Sequence, residues 1–205
     1  MPVYDPHTVQ LLAAVPSMGL YPPLEAHEPV TLYFRDKIFK AHDTDTGVRD
    51  STGAVVLRVR DCAFSRRRRM DITDPEGSPL VTLRCKLATW LGHVVAQDAA
   101  GRWLLEARAR PSWNGKHLDI TYADCGGGER ALTLRSDRAG RRADVLLPDG
   151  RVVMQLEHKV LGRDALGKNT DTWYLFIAPG VDTVLATTVC LAYDMYKEQQ
   201  AARRG

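Results

Sequence analysis

The stretch Val181 to Tyr196, VDTVLATTVCLAYDMY, limits what this chain can fold into more than any other. At about 100° per residue, Thr183, Thr187 and Asp194 fall on one narrow stripe of a helix. Val184, Leu185, Ala186, Val189, Cys190, Leu191, Ala192, Tyr193 and Met195 cover nearly all of the remaining circumference. A surface helix has one apolar face, whereas a helix that is apolar almost all round is buried on every side. A membrane anchor would need about 20 apolar residues. This stretch is shorter and carries Asp182 and Asp194 at its ends, so a buried core helix is expected. Asp182 is expected in the first turn, where a negative charge complements the helix dipole. Thr187 and Thr188 are expected to return their hydroxyls to carbonyls one turn earlier, which makes them tolerable in a dry interior.

The rest of the chain reads as β-strands. From Val30 onwards, short runs such as VTLYFRDK, AVVLRVRD, PLVTLRCKL, RWLLEARAR, HLDITYAD, RALTLRSD, RVVMQLEHK and TWYLFIA alternate with turn signals. Those signals include Ser51-Thr52-Gly53, Pro75-Glu76-Gly77, Ala100-Gly101, Asn114-Gly115, Arg138-Ala139-Gly140 and Asp149-Gly150. Period-two alternation marks strands with one wet face. Strands recurring at this spacing signal an all-β sandwich or barrel, here of eleven or twelve strands. So large a sheet closes on itself, which also removes exposed edges. The interior of such a barrel is too wide for side chains from opposite walls to meet. The apolar helix, about 24 Å long at about 1.5 Å per residue, is the segment that can fill it.

Composition sets the remaining bounds. The chain has 205 residues, 44% of them hydrophobic, and a net charge of +3. This is mildly basic, compatible with phosphate-bearing partners without demanding them. Residues 1–29 hold six of the eleven prolines. Proline removes ladder donors, so this segment is expected to be an irregular arm, either laid on the domain surface through Leu11, Leu12, Val15, Met18, Leu20 and Tyr21 or free. Residues 30–205 then form one domain, with the central helix at 181–196. Cys62, Cys85, Cys125 and Cys190 lack metal-ligand spacing. The N-terminus lacks a secretory signal. Free thiols and an intracellular, cytoplasmic protein with no transmembrane segment are therefore expected.

Few residues suggest chemistry. Arg66, Arg67, Arg68 and Arg69 form the densest charge run, and Arg141 and Arg142, with Arg138, a weaker one. Arginine suits bidentate phosphate contacts, so these clusters are candidate sites for anionic headgroups. Arg108 and Arg110 alternate on one strand and could join either cluster. Gly162 to Thr170 nearly spells a phosphate loop, but Asn169 stands where the magnesium-binding hydroxyl belongs and a strand follows where a helix is required. His42, Asp43, Asp45 and Asp50 do not match a calcium loop and read as a polar turn. His93, His117 and His158 lie on separate strands with no nucleophile paired to them. Trp90, Trp103, Trp113 and Trp173 read as core or wall residues. No catalytic residues, metal or cofactor are expected, and no nucleic-acid partner.

Three segments resemble the LURP-one-related family: DTDTGVRDSTGAVVLRV (Asp43 to Val59), RRRRMDITDPEGSPLVTLRCK (Arg66 to Lys86) and LGKNTDTWYLFIAPGVDTVLATTVCLAYDMY (Leu166 to Tyr196). The Pro179-Gly180-Val181-Asp182 corner with its apolar helix is the most specific part. The chain departs from the family at Thr46-Gly47-Val48, where an aromatic is usual, and in its proline-rich arm and the Cys125 to Gly128 loop. The resemblance implies a tubby C-terminal-like fold, a twelve-stranded barrel around a hydrophobic C-terminal helix, shared with phospholipid scramblases. Tubby domains bind phosphoinositides through a basic surface site. The resemblance therefore implies a non-enzymatic binding or scaffolding module, its partner an anionic phospholipid met peripherally at a membrane. The alternatives are a protein-interaction module, with the arm as the contact, and an unrecognised enzyme using the barrel mouth.

Overall fold

Alternation of inward apolar and outward polar residues builds twelve strands in the computed structural model, which describes residues 14–35, 45–62, 69–86, 92–111, 116–159 and 172–202. The strands are β1 (Val30–Arg35), β2 (Asp45–Arg49), β3 (Val55–Cys62), β4 (Arg69–Thr73), β5 (Pro79–Cys85) and β6 (His93–Gln97). They continue as β7 (Trp103–Arg110), β8 (His117–Ala123), β9 (Glu129–Ser136), β10 (Arg142–Leu146), β11 (Val152–Lys159) and β12 (Thr172–Ile177). The α-helix α1 (Thr183–Ala202) follows, and a short 3-10 turn at Pro22–Leu24 precedes β1. Each strand pairs antiparallel with the next, and β12 returns to β1 to close the barrel. The closing pair runs in full register from Val30↔Ile177 to Arg35↔Thr172. Among the described residues, β1 and β2 are paired at Tyr33↔Arg49.

The hairpins at one end of the barrel repeat one turn. Asp50, Asp74, Asp98 and Asp124 each donate a backbone N–H to the carbonyl four residues on, and each accepts the N–H of a glycine three residues on. At Gly53 and Gly77 that residue has φ of 87° and 95°, which only glycine adopts without strain. The aspartate side chain folds back on its own turn: Asp98 Oδ1 accepts the Ala100 and Arg102 N–H groups at 2.9 and 2.8 Å. Register shifts follow beside three of these turns, at Val48/Arg49, Ile72/Thr73 and Ala96/Gln97. Such bulges increase strand twist, as a closing sheet requires.

The helix fills the barrel. Every residue from Val184 to Tyr196 is buried, including the polar stripe the helical projection isolates. Leu57, Val59, Met70, Ile72, Leu83, Leu105, Leu134 and Leu175 face it from the wall. Each large apolar side chain so buried contributes about 1.5–3 kcal/mol. Three details differ from the sequence reading. The helix starts at Thr183, because Val181 and Asp182 are held as extended chain by bridges to Met18 and Glu25. It continues to Ala202, since Lys197 to Ala202 are good helix formers that carry it out of the barrel. The Thr187 and Thr188 hydroxyls do not reach a carbonyl one turn earlier; both are buried without a hydrogen-bond partner.

Asp182 also differs. It precedes the first helical residue and caps it, its Oδ1 accepting the Val184 N–H at 2.8 Å. Its Oδ2 accepts the Leu20 and Tyr21 N–H groups at 2.8 and 3.0 Å, and the Leu185 N–H at 3.3 Å. One carboxylate thus fastens the helix start to the proline-rich segment. Burial pushes its pKa up to about 6, against the pull of these four donors. The segment wraps around the corner: Val15 and Met18 donate to Pro179 and Gly180, and Ala26 exchanges hydrogen bonds with Gly180 and Val181. Asp124 Oδ1 accepts the Gly19 N–H at 3.0 Å, and the Tyr21 hydroxyl donates to the Leu80 carbonyl at 2.6 Å. There is no room for a side chain at Gly19, where a Cβ would lie 2.1 Å from that of Asp182. Residues 15–26 are therefore a strap across the barrel end.

Leu191→Asp places an unpaired charge in the dry core and is expected to abolish folding; a soluble variant with a cooperative melt would show that the helix is not the core. Asp182→Ala removes a cap and orphans two strap donors, a predicted loss of about 2 kcal/mol or more in denaturant unfolding. Leu20 and Tyr21 amide exchange should rise in parallel. An unchanged midpoint with unchanged exchange at both amides would refute the fastening role.

Candidate functional site

Strand parity assigns every connection to one end of the barrel. The Asp50, Asp74, Asp98 and Asp124 turns lie where α1 enters, and a further aspartate turn, Asp137 to Arg142, lies at the other end. The connections after β1, β3, β5, β7, β9 and β11 lie where it leaves. Both basic clusters found in the sequence flank connections at this helix-exit end. Arg66, Arg67 and Arg68 lie outside the described residues, and Arg69 opens β4. Arg138 and Arg141 sit in the turn before β10, and Arg142 opens that strand. In a ring of twelve strands, β4 and β10 stand opposite each other. Arg69 and Arg142 therefore lie at one end of the barrel, on opposite sides of the ring.

The barrel interior behind this rim is occupied. Trp173 is fully buried, His158 stacks on it with ring centroids 4.7 Å apart, and Tyr193 meets it edge-on at 6.1 Å. Lys197 closes over them, its Nζ 4.6 Å from the Trp173 ring centroid and 3.7 Å from Asp194. Gly92 presses on the emerging helix, where a Cβ would approach Tyr196 to 2.7 Å. With the strap at one end and this plug at the other, the binding surfaces available are the rim and the outer wall.

Ion pairs divide the rim cations into engaged and available groups. Arg69 Nε donates to Asp71 at 2.9 Å, and Thr82 donates to the same carboxylate at 2.7 Å. Burial pushes the Asp71 carboxyl up, but these hydrogen bonds outweigh it and hold the group below its ordinary range. Arg142 pairs with Glu157 at 2.9 Å. Arg108 pairs with Glu106 at 2.7 Å, and Lys86 and His93 converge on that carboxylate too. Arg84 is the cross-strand neighbour of Arg69 and is exposed. Among the described residues no carboxylate pairs with Arg84 or with Arg141. Both therefore offer an uncompensated guanidinium.

The structure joins Arg110 to the Arg142 side of the wall through His117 and Arg135, which stand beside it on β8 and β9. Arg84 was the neighbour that sequence reading missed. The hairpin symmetry about the Asp74 to Ser78 turn, less one bulge residue, could have found it. His42, Asp43, Trp90, Trp113 and the segment from Gly162 to Thr170 lie outside the described residues. Asp50 forms its turn, accepting from Thr52 and Ala54. Trp103 lies on the wall, 36% exposed, and Trp173 lies in the core. All four cysteines are free thiols. Among the described residues no three His, Cys, Asp or Glu side chains gather to hold a metal. No described helix is long and apolar enough to cross a membrane.

Comparison with known proteins agrees with this architecture. A search of curated proteins finds no match. Among solved structures, an X-ray structure of a protein from Arabidopsis thaliana superposes with a TM-score of 0.60 at 17% identity, covering 87% of this chain and 97% of that one. That likeness establishes a shared tubby-like barrel fold. The profile of the family described as LURP-one-related matches residues 30–194, from the first strand to the last buried turn of the helix. The chain belongs to the LURP-one-related family.

Proposed function

We propose that this protein is a non-catalytic binding module that docks by its helix-exit end onto anionic phospholipid surfaces, phosphoinositides among them. Arg66 to Arg69 form the principal contact, and Arg141 and Arg142 the second. The observation that carries this reading is that Arg69 and Arg142, one residue of each cluster, lie at the same end of the barrel. Two basic clusters on opposite sides of a filled barrel cannot both hold one small molecule, but both can meet a flat charged surface. The exposed, uncompensated Arg84 and Arg141 strengthen the field at that end, and the Asp50, Asp74, Asp98 and Asp124 turns lie at the other. The resemblance to tubby domains, with their basic phosphoinositide site, favours the same ligand class. On this reading the protein is cytoplasmic and meets the membrane peripherally.

The alternative, a protein-interaction module using the arm, has less support. Residues 15–26 already spend their backbone donors and acceptors on their own barrel.

Juxtamembrane arginines contribute about 1 kcal/mol each near an anionic surface. Replacing Arg66, Arg67, Arg68 and Arg69 with glutamine is expected to weaken sedimentation with phosphoinositide liposomes at low salt by more than about tenfold. Equal binding by wild type and variant, or no binding by wild type, would sink the proposal.

A further inference from the structure

A second cationic feature lies on the outer wall, away from the Arg66 to Arg69 segment. Arg110, His117 and Arg135 are directly opposite one another across β7, β8 and β9, paired as Arg110↔His117 and His117↔Arg135. Their chain neighbours Ala109, Leu118 and Leu134 pack against the core, so these three side chains point outward together. Directly opposed residues of antiparallel strands lie about 4.5–5.5 Å apart at Cα. The row therefore brings two guanidinium groups to either side of one imidazole.

We propose that the Arg110–His117–Arg135 row is a binding site for a phosphomonoester-type dianion. Like charges directly opposite on neighbouring strands are destabilising, and sheets ordinarily alternate them with carboxylates. Here Asp119 holds Arg110 by its Nε at 3.1 Å. Arg135 is exposed, with no carboxylate partner among the described residues. Arg108, the other cation of this wall, is held by Glu106 at 2.7 Å. Asp144 follows Arg135 in the row, but its carboxylate is buried against Gln155 at 2.9 Å. Burial, then Arg135 and Arg110, hold His117 below its ordinary pKa, with Asp119 pulling the other way. The imidazole is consequently neutral near pH 7. A dianion between the two arginines reverses that balance: it accepts from both guanidinium groups and favours a proton on His117. Arginine's planar fork suits tetrahedral oxyanions of this kind. The row shares no residue with the rim clusters, although Arg110 and His117 lie at strand ends of the same helix-exit end.

The His117 ring proton reports directly. Its titration is followed by NMR in the full chain at constant ionic strength, with inorganic phosphate replacing chloride, and separately with vesicles containing phosphatidic acid. A phosphomonoester bound at the row should raise the His117 midpoint by about half a unit or more, about threefold in proton affinity. A shift with inorganic phosphate identifies a free phosphate as sufficient; a shift with the vesicles alone identifies a lipid headgroup as the source. Arg135→Gln and Arg110→Gln should each remove most of the shift. Arg69→Gln and Arg141→Gln should each leave it intact, which separates this site from both rim clusters. A His117 midpoint unmoved by either probe, or moved equally in Arg135→Gln, would overturn the proposal.

Discussion

A ring of twelve strands cannot be filled by its own side chains, and everything else in this protein follows from the need to fill it. The chain threads its last apolar segment back through the barrel, so the helix must enter at a sharp corner and be held there. Asp182 makes that possible. Its two oxygens satisfy the first turn of the helix and the Leu20 and Tyr21 amides of the strap. Backbone donors at a buried helix end would otherwise be orphaned, each at a cost of about 1–3 kcal/mol. The proline-rich segment thus secures a helix start 162 positions beyond Leu20 in the chain.

Filling the barrel removes any interior site and moves function outward. Strand parity then separates charge along the axis. The entry end is made of short turns that need aspartate for their geometry, and several pair locally with arginines, as Asp98 does with Arg102 and Asp149 with Arg151. The exit end repeats such a turn between β9 and β10, where Asp137 accepts the Gly140 and Arg141 N–H groups. Of the arginines there, Arg69 and Arg142 are held by Asp71 and Glu157, while Arg84 and Arg141 are exposed. The same logic explains the outer wall, where Arg110, His117 and Arg135 form a row because three strands present outward residues in register.

Much of the fold was legible in the sequence because it rests on local patterns. The helix announced itself through apolar residues on all sides, the strands through alternation, and the turns through aspartate and glycine at fixed spacing. What was not legible depends on contacts between distant residues. Asp182 reads as a first-turn charge until Leu20 and Tyr21 are placed beside it, 162 and 161 positions away. Thr187 and Thr188 read as self-satisfying, yet wall packing leaves them without partners. The polar run from Lys197 to Ala202 gave no burial signal and so seemed to end the helix early. Of the candidate sites, the arginine runs could be named from sequence. That Arg69 and Arg142 lie at one end of the barrel, and that Arg84 stands beside Arg69, required strand order and register.

The central claim is that a filled barrel presents its helix-exit end to an anionic surface. Paramagnetic broadening by vesicles with spin-labelled anionic headgroups tests it most directly, read residue by residue on the intact protein. The account predicts that amides near Arg69, Arg84 and Arg141 broaden strongly while those of the Asp50, Asp74 and Asp98 turns stay sharp. Broadening at the aspartate turns, or none at either end, would contradict it.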